Sequence, residues 1–220
     1  METDYLIRKR EHIIPSNDGD VIDWNDSKIR FVTKECKEKT VLDLGCVQHD
    51  PDFAKSKKWL HKAICVIATE VQGLDLDSEG VTALKEKGYH HIRVGDAQHF
   101  DLEESFDVIV AGDLIEHLHN VGGFLESCAK HMTNDSKLLI CTPNPWHWHK
   151  WIRAFFRQPP VNEEHTLWMC PVTLSQVAAR FGLNLVSIEY NSQRLKDSCL
   201  PIPDRVRHSS VYAVLKKSPA

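Results

Sequence analysis

The sequence contains no apolar run near the roughly 20 residues that cross a bilayer, so no segment reads as a membrane span. Its opening, METDYLIRKREHIIPS, mixes charges of both signs and lacks an apolar signal core, which leaves a cytoplasmic location as the expectation. Positive charge is not in excess: 27 Lys and Arg stand against 31 Asp and Glu. The formal net charge of -4 therefore gives no electrostatic case for a nucleic-acid partner. The seven cysteines form no CxxC pair, which argues against a zinc ribbon or a disulfide framework and for reduced thiols. Internal repeats and low-complexity tracts are absent.

What is present suits one α/β domain over 1–220, with 42% hydrophobic and 26% charged residues. Residues 1–39 are polar and mixed and read as an N-terminal helical extension, with a helix over 27–38. Short apolar segments follow at 40–45, 71–75, 91–94, 106–111 and 138–142, alternating with helical stretches. Asp50-Pro51 offers one helix start, Ser78 with Asp77 another, and 120–131 a third helix. Strands alternating with helices call for a parallel sheet covered on both faces. Beyond a helix at 171–181, strands at 183–190 and 210–215 are joined by a polar, proline-containing loop, and a return without a helix makes the last strand antiparallel. The expected fold is a Rossmann-like, doubly wound sheet of seven strands, mostly parallel with an antiparallel last strand.

In such sheets ligands lie beyond the carboxyl ends of the strands. Those ends carry Asp43-Leu44-Gly45-Cys46, Gly73-Leu74-Asp75-Leu76-Asp77, Gly95-Asp96-Ala97 and Gly112-Asp113, with Glu116-His117 just after. A glycine after the first strand lets backbone approach a ligand closely. An acid after the second accepts from ribose hydroxyls, and an acid after the third accepts from an exocyclic amine such as adenine N6. No GxGxxG cradle follows the first strand, so a pyrophosphate is poorly supported and a nicotinamide dehydrogenase is disfavoured. Adenosine without phosphates points to S-adenosylmethionine (SAM).

At these residues the sequence resembles class I SAM-dependent methyltransferases, in particular the small-molecule branch with its ubiquinone-type and sugar-type members. VLDLGC matches the first motif, GLDLD the ribose motif, VGDAQHF the adenine motif and FDVIVAGDLIEHL the fourth, across roughly residues 40 to 190. The resemblance implies that Asp75, with Leu76 beside it, binds ribose, that Asp96 and Ala97 hold adenine, and that Asp43, Gly45 and Cys46 line the methionine end. The backbone near Gly112 would face the sulfonium. One departure stands out. Val47 and His49 occupy positions where the family has glycines, which predicts a loop relaxed outward and puts SAM affinity in question. His49 and Asp50 are further candidates for the methionine end.

Transfer to a hydroxyl or amine needs a proton removed, and histidine is the usual base near neutral pH. His117 is the candidate base, with Glu116 as orienter or helix-start acid; a structural role in the turn is the alternative. The segment 143–180 reads as an acceptor-side helical insertion. In it, Trp148, Trp151, Ile152, Phe155 and Phe156 share one helix face, with His147, His149, Lys150, Arg153 and Arg157 on others. Three readings stand: a lid over the acceptor, a helix packed on the core or on a second copy of the chain, and a peripheral membrane contact through 145–157. The tract NEEHTLWMCPVTL resembles a segment of small-molecule methyltransferases, which makes His165 and Trp168, with Trp148, acceptor-site candidates. His147 and His149 on one helix point about 200° apart, so no metal site is expected from them with Glu163, Glu164 and His165. The expected function is methyl transfer from SAM to an O or N of a small molecule, with a sugar or lipid-linked glycan among the acceptors. A SAM- or nucleoside-binding protein without turnover is the alternative.

Overall fold

The computed structural model describes residues 22–48, 54–156, 161–192, 197 and 200–219. Seven strands form one sheet: β1 (Thr40–Leu44), β2 (Glu70–Asp75), β3 (Ile92–Val94), β4 (Phe106–Gly112), β5 (Met132–Pro143), β6 (Leu183–Asn191) and β7 (Ser210–Lys217). Their order is β3-β2-β1-β4-β5-β7-β6. Neighbours among β1 to β5 pair in parallel, and β7 runs antiparallel to both β5 and β6. The expected sheet is therefore the observed one. Chain direction across the sheet reverses between β1 and β4, so a crevice opens at their carboxyl ends.

Seven helices accompany it among the described residues: α1 (Ser27–Cys36), α2 (Leu60–Ile67), α3 (Ser78–Glu86), α4 (Val121–Lys130), α5 (Trp148–Phe156), α6 (Pro171–Ala179) and α7 (Asp204–Arg207). The period-two geometry of strands sorts the core onto two faces. Val41, Val108, Val110, Leu139 and Cys141 pack with Ile29 and Val32 of α1 and with Leu60 and Ile64 of α2. Leu42, Leu44, Ile109, Ala111, Leu138 and Ile140 face Phe124 and Leu125 of α4 and Leu174 of α6. Both faces of the central strands are covered, which is why they read as continuous apolar runs.

Local chemistry sets the helix starts. Asp26 accepts from the amides of Lys28 and Ile29 to cap α1. Asn120 caps α4 through Gly123 N. Asp77, rather than Ser78, is the cap of α3; its carboxylate accepts from Glu79 N and Gly80 N, and Ser78 is the first helical residue. α2 begins at Leu60, later than the Asp50-Pro51 signal suggests, and Asp50 and Pro51 lie outside the described residues. The preceding Trp59 is extended and fully buried, with its indole N–H donating to the Cys46 carbonyl at 2.8 Å. That anchor fixes where the helix can start. β5 runs farther toward its amino end than 138–142. Its polar residues Thr133–Asp135 are exposed, and Ser136 Oγ donates to Phe106 O at 2.5 Å to hold the extension in register. The loop before β7 contains the four-residue α7, too short to cross the sheet, so the return stays antiparallel.

Candidate active site

The tips of β1, β2 and β3 are stitched together. Gly45 adopts φ +75° and its N–H donates to Leu74 O at 2.8 Å. Only a residue free of a Cβ takes that conformation without strain. Gly95 N donates to Asp75 O, so the tips bearing Asp75 and Asp96 adjoin. Asp75 is half-buried; Oδ2 accepts from Val47 N at 2.8 Å and Oδ1 from Asp77 N at 3.0 Å. Leu76, next to it, is 69% exposed, an apolar side chain left open beside Asp75.

Through Gln48, the described part of the loop after β1 turns inward. Val47 is 1% exposed and packs with Cys46, Trp59 and Val81 in a small separate core. Its Cγ1 fills the space where a Cβ on Gly80 would stand. Burial of Val47 and the Asp75 hydrogen bond together replace the turn that glycines would give. His49 and Asp50 lie outside the described residues.

Two candidates for the methionine end point elsewhere. Asp43 is buried, and Nδ1 of His61 donates to its Oδ2 at 2.8 Å. Cys46 is buried in the same small core as Val47. What both offer the crevice is backbone, not side chain. On the adenine side, Asp96 Oδ1 accepts from Gln98 N at 2.8 Å, while Gln98 Oε1 accepts from His119 N and Asn120 N. Gln98 thus ties the β3 tip to the start of α4, and Ala97 is buried beside it. Gly112 ends β4, and a Cβ there would stand 2.7 Å from Leu60 Cδ2, so α2 packs closely on that backbone.

A single 3-10 turn, Ile115–His117, follows β4. Glu116 is buried, and Thr142 Oγ1 donates to its Oε2 at 2.9 Å. Burial, and then the nearby Asp113 carboxylate, push the Glu116 carboxyl up to about 7. The Glu116 carbonyl accepts from Thr166 N, and Thr166 Oγ1 donates to Leu118 O at 2.8 Å. These bonds fasten the 162–170 tract onto the β4 tip. They bring His165 to His117 with ring centroids 4.8 Å apart and edge to face. Burial, His117 and Lys150 all hold the His165 imidazole below its ordinary value. Lys150 lies 4.5 Å over the Trp168 ring, and burial lowers its ammonium despite the pull of Glu116. Trp168, 39% exposed, therefore belongs to the same cluster.

The aromatic helix is not packed on the core: α5 buries no residue. Asn144 does not start it but braces what precedes it, its Nδ2 donating to Arg205 O at 2.8 Å and His208 O at 2.7 Å. Trp148 Nε1 donates to Asp197 at 3.2 Å. Trp146, Trp148, Trp151 and Ile152 then line a cavity of about 550 Å³ with Arg205 and Val206. That cavity shares no lining residue with the strand tips. Phe155 and Phe156 are more than four-fifths exposed, continuing the apolar stripe outward.

Several site residues had no signal in the sequence. Lys28 of α1 reaches Asp113 Oδ2 at 2.6 Å, and this carboxylate outweighs burial to hold the ammonium above its usual value. Helical periodicity says nothing about which strand tip a lysine will meet. Among the described residues, His147 and His149 assemble no metal-like group with Glu163 and Glu164. The groups that do converge are Glu116, His117 and His165, and His61, Cys65 and His91. The spacing His61-x-x-x-Cys65 on a helix was the available clue to the second.

A family model described as a methyltransferase domain matches residues 22–188. A probable S-adenosylmethionine-dependent methyltransferase of Mycobacterium tuberculosis, Rv3030, is 28% identical over 138 residues, covering 60% of this chain and 43% of that protein. A ubiquinone biosynthesis O-methyltransferase of Bradyrhizobium is 30% identical over 109 residues, 47% of this chain and 40% of that one. The matched part is thus less than half the length of these curated relatives. Among solved structures, a SAM-dependent methyltransferase from Archaeoglobus fulgidus superposes with TM-score 0.61 at 18% identity, covering 87% of this chain and 92% of that one. The CcbJ methyltransferase from Streptomyces caelestis superposes with TM-score 0.59 at 13% identity, over 87% and 88%.

Proposed function

Because this chain belongs to the methyltransferase-domain family, whose fold indicates SAM as cosubstrate, we propose that it moves the SAM methyl onto an O or N nucleophile of a small molecule. The observation that carries the acceptor half is the convergence of His117, His165 and Lys150 beyond the β4 tip, beside strand tips whose acids suit adenosine. The crevice fits the cosubstrate in two respects: Gly45 presents bare backbone, and Asp75 retains lone pairs for ribose hydroxyls beyond those facing Val47 and Asp77. Asp96 and Ala97 would hold adenine, and the backbone of Asp43, Gly45, Cys46 and Gly112 would border the methionine and sulfonium end. Bound SAM supplies an electrophilic methyl. The chain's own task is to align the nucleophile with it and take the released proton. His117 takes that proton. The His165 edge positions the acceptor, and Glu116 fixes the turn from beneath.

The acceptor is amphipathic in this reading, a sugar or lipid-linked glycan whose apolar part lies along Trp146, Trp148 and Trp151. Phe155 and Phe156 with Arg153 make α5 a contact for an anionic membrane surface where such acceptors reside. Calorimetric titration with SAM, followed by an acceptor screen using labelled methyl, tests the assignment. Binding in the micromolar range and transfer to a hydroxyl or amine are expected. No SAM binding overturns it, and binding without transfer favours a SAM-binding protein without turnover.

A further inference from the structure

On the far side of β1 from the acceptor cluster, three metal-seeking side chains meet. His61 and Cys65, four apart on α2, share one helix face. His91, just before β3, points at both: its Nε2 lies 2.9 Å from His61 Nε2 and 3.4 Å from Cys65 Sγ. His61 and Cys65 are buried, and His91 is partly exposed. From these residues we propose a zinc-type site, ligated by His61 Nε2, Cys65 Sγ and His91 Nε2, that staples α2 to β3.

Four features support it. The donor set, two imidazoles and a thiol, is what zinc prefers, with a fourth place left for water or an exogenous ligand. Asp43 engages His61 Nδ1 at 2.8 Å, the carboxylate-histidine arrangement that leaves Nε2 to face a metal. Room for the ring comes from Gly73, where a Cβ would stand 3.1 Å from His61 Cε1. Charge also balances: a divalent ion, a thiolate and the Asp43 carboxylate sum to zero in a buried place. Around tetrahedral zinc, nitrogens stand about 3.3 Å apart and nitrogen to sulfur about 3.6 Å. The two separations from His91 Nε2 therefore need to open by only a few tenths of an ångström. His91 Nδ1 has no hydrogen-bond partner, so no hydrogen bond on that side of the ring has to break for the shift. The other converging group, Glu116, His117 and His165, is a poorer cation site because the Lys150 ammonium already acts on Glu116 and His165.

The site is independent of the methyltransferase reading. The full chain, stripped by chelator and dialysed, is titrated with Zn²⁺, and separately loaded with Co²⁺ for its electronic spectrum. One ion per chain with a Kd below about 1 µM is expected, together with a near-ultraviolet thiolate-to-cobalt charge-transfer band. Cys65→Ser abolishes that band, and His91→Gln weakens zinc binding at least about tenfold. X-ray absorption on the zinc-loaded native chain, which needs no variant to fold, shows one sulfur among the ligands. Absence of stoichiometric binding, a cobalt spectrum unchanged in Cys65→Ser, or a purely nitrogen and oxygen shell overturns the proposal and leaves a hydrogen-bonded His61–His91 pair. SAM titrations of the same samples read the cosubstrate site separately.

Discussion

The Asp75 carboxylate holds the Val47 amide at 2.8 Å, so the acid at the tip of β2 also fixes the turn after β1. Asp75→Asn keeps the shape but turns one of the two accepting oxygens into an NH2 that faces a backbone N–H. SAM affinity should fall roughly tenfold to a hundredfold, with a smaller drop in melting temperature than truncation causes. Asp75→Ala should lower both, since Val47 N–H and Asp77 N–H lose their acceptor. Calorimetry and thermal denaturation on the two variants check this; equal SAM affinity in wild type and Asp75→Asn removes Asp75 from the site.

Val47 is core, not a strained substitute for glycine. Val47→Gly should destabilise the chain by roughly 2 kcal/mol or more, from lost burial and added backbone entropy. Chemical denaturation measures it. A Val47→Gly chain as stable as wild type would show that the inward packing contributes little.

The five parallel strands, the strand-tip acids and the seventh-strand reversal were legible because short buried strands and turn residues leave a local imprint. The direction of Val47 was not legible. It depends on Gly80, Val81 and Trp59, which lie 12 to 34 residues away. Asp43 looked like a ligand contact by motif position, yet it faces His61, a partner that only the docking of α2 reveals. Lys28 at Asp113 was invisible for the same reason. The amphipathic pattern of α5 showed an apolar face truly, but periodicity cannot distinguish a face turned to the core from one turned to solvent.

His117→Ala should reduce turnover roughly a hundredfold or more while leaving SAM affinity intact. His165→Ala should raise the acceptor KM more than it lowers kcat. Steady-state kinetics with the acceptor found by screening separates the two. Unchanged turnover in His117→Ala would assign the proton to another group.

Glu116 gives the fold a pH dependence of its own. Its carboxyl titrates near 7 when folded, against 4.5 ordinarily. The folded chain therefore holds this proton more tightly than the unfolded chain does. The contribution is fully favourable below about pH 4.5 and declines as pH rises to about 7, by roughly 3 kcal/mol in all. Glu116→Gln should flatten that part of the stability profile and be the more stable form above pH 7. Thermal melts from pH 5 to 8 test it; parallel profiles for the two proteins would exclude it.

The exposed end of α5 makes a separate prediction. The native chain should co-sediment with vesicles rich in anionic lipid, less so at high salt, and Phe155→Ser with Phe156→Ser should reduce partitioning at least about tenfold. If native protein ignores vesicles, membrane contact fails. If the double variant instead shifts the sedimentation coefficient, a second copy of the chain covers this face.

Asn144 joins the base of α5 to the carbonyls of Arg205 and His208. The two cavity walls, about sixty residues apart in sequence, are therefore one mechanical unit. Grafting the tryptophan-bearing helix from a related enzyme without its matching 200–209 stretch would tear that brace and misalign the groove. Reshaping this groove is consequently a two-segment engineering problem, in which the segments must travel as a pair.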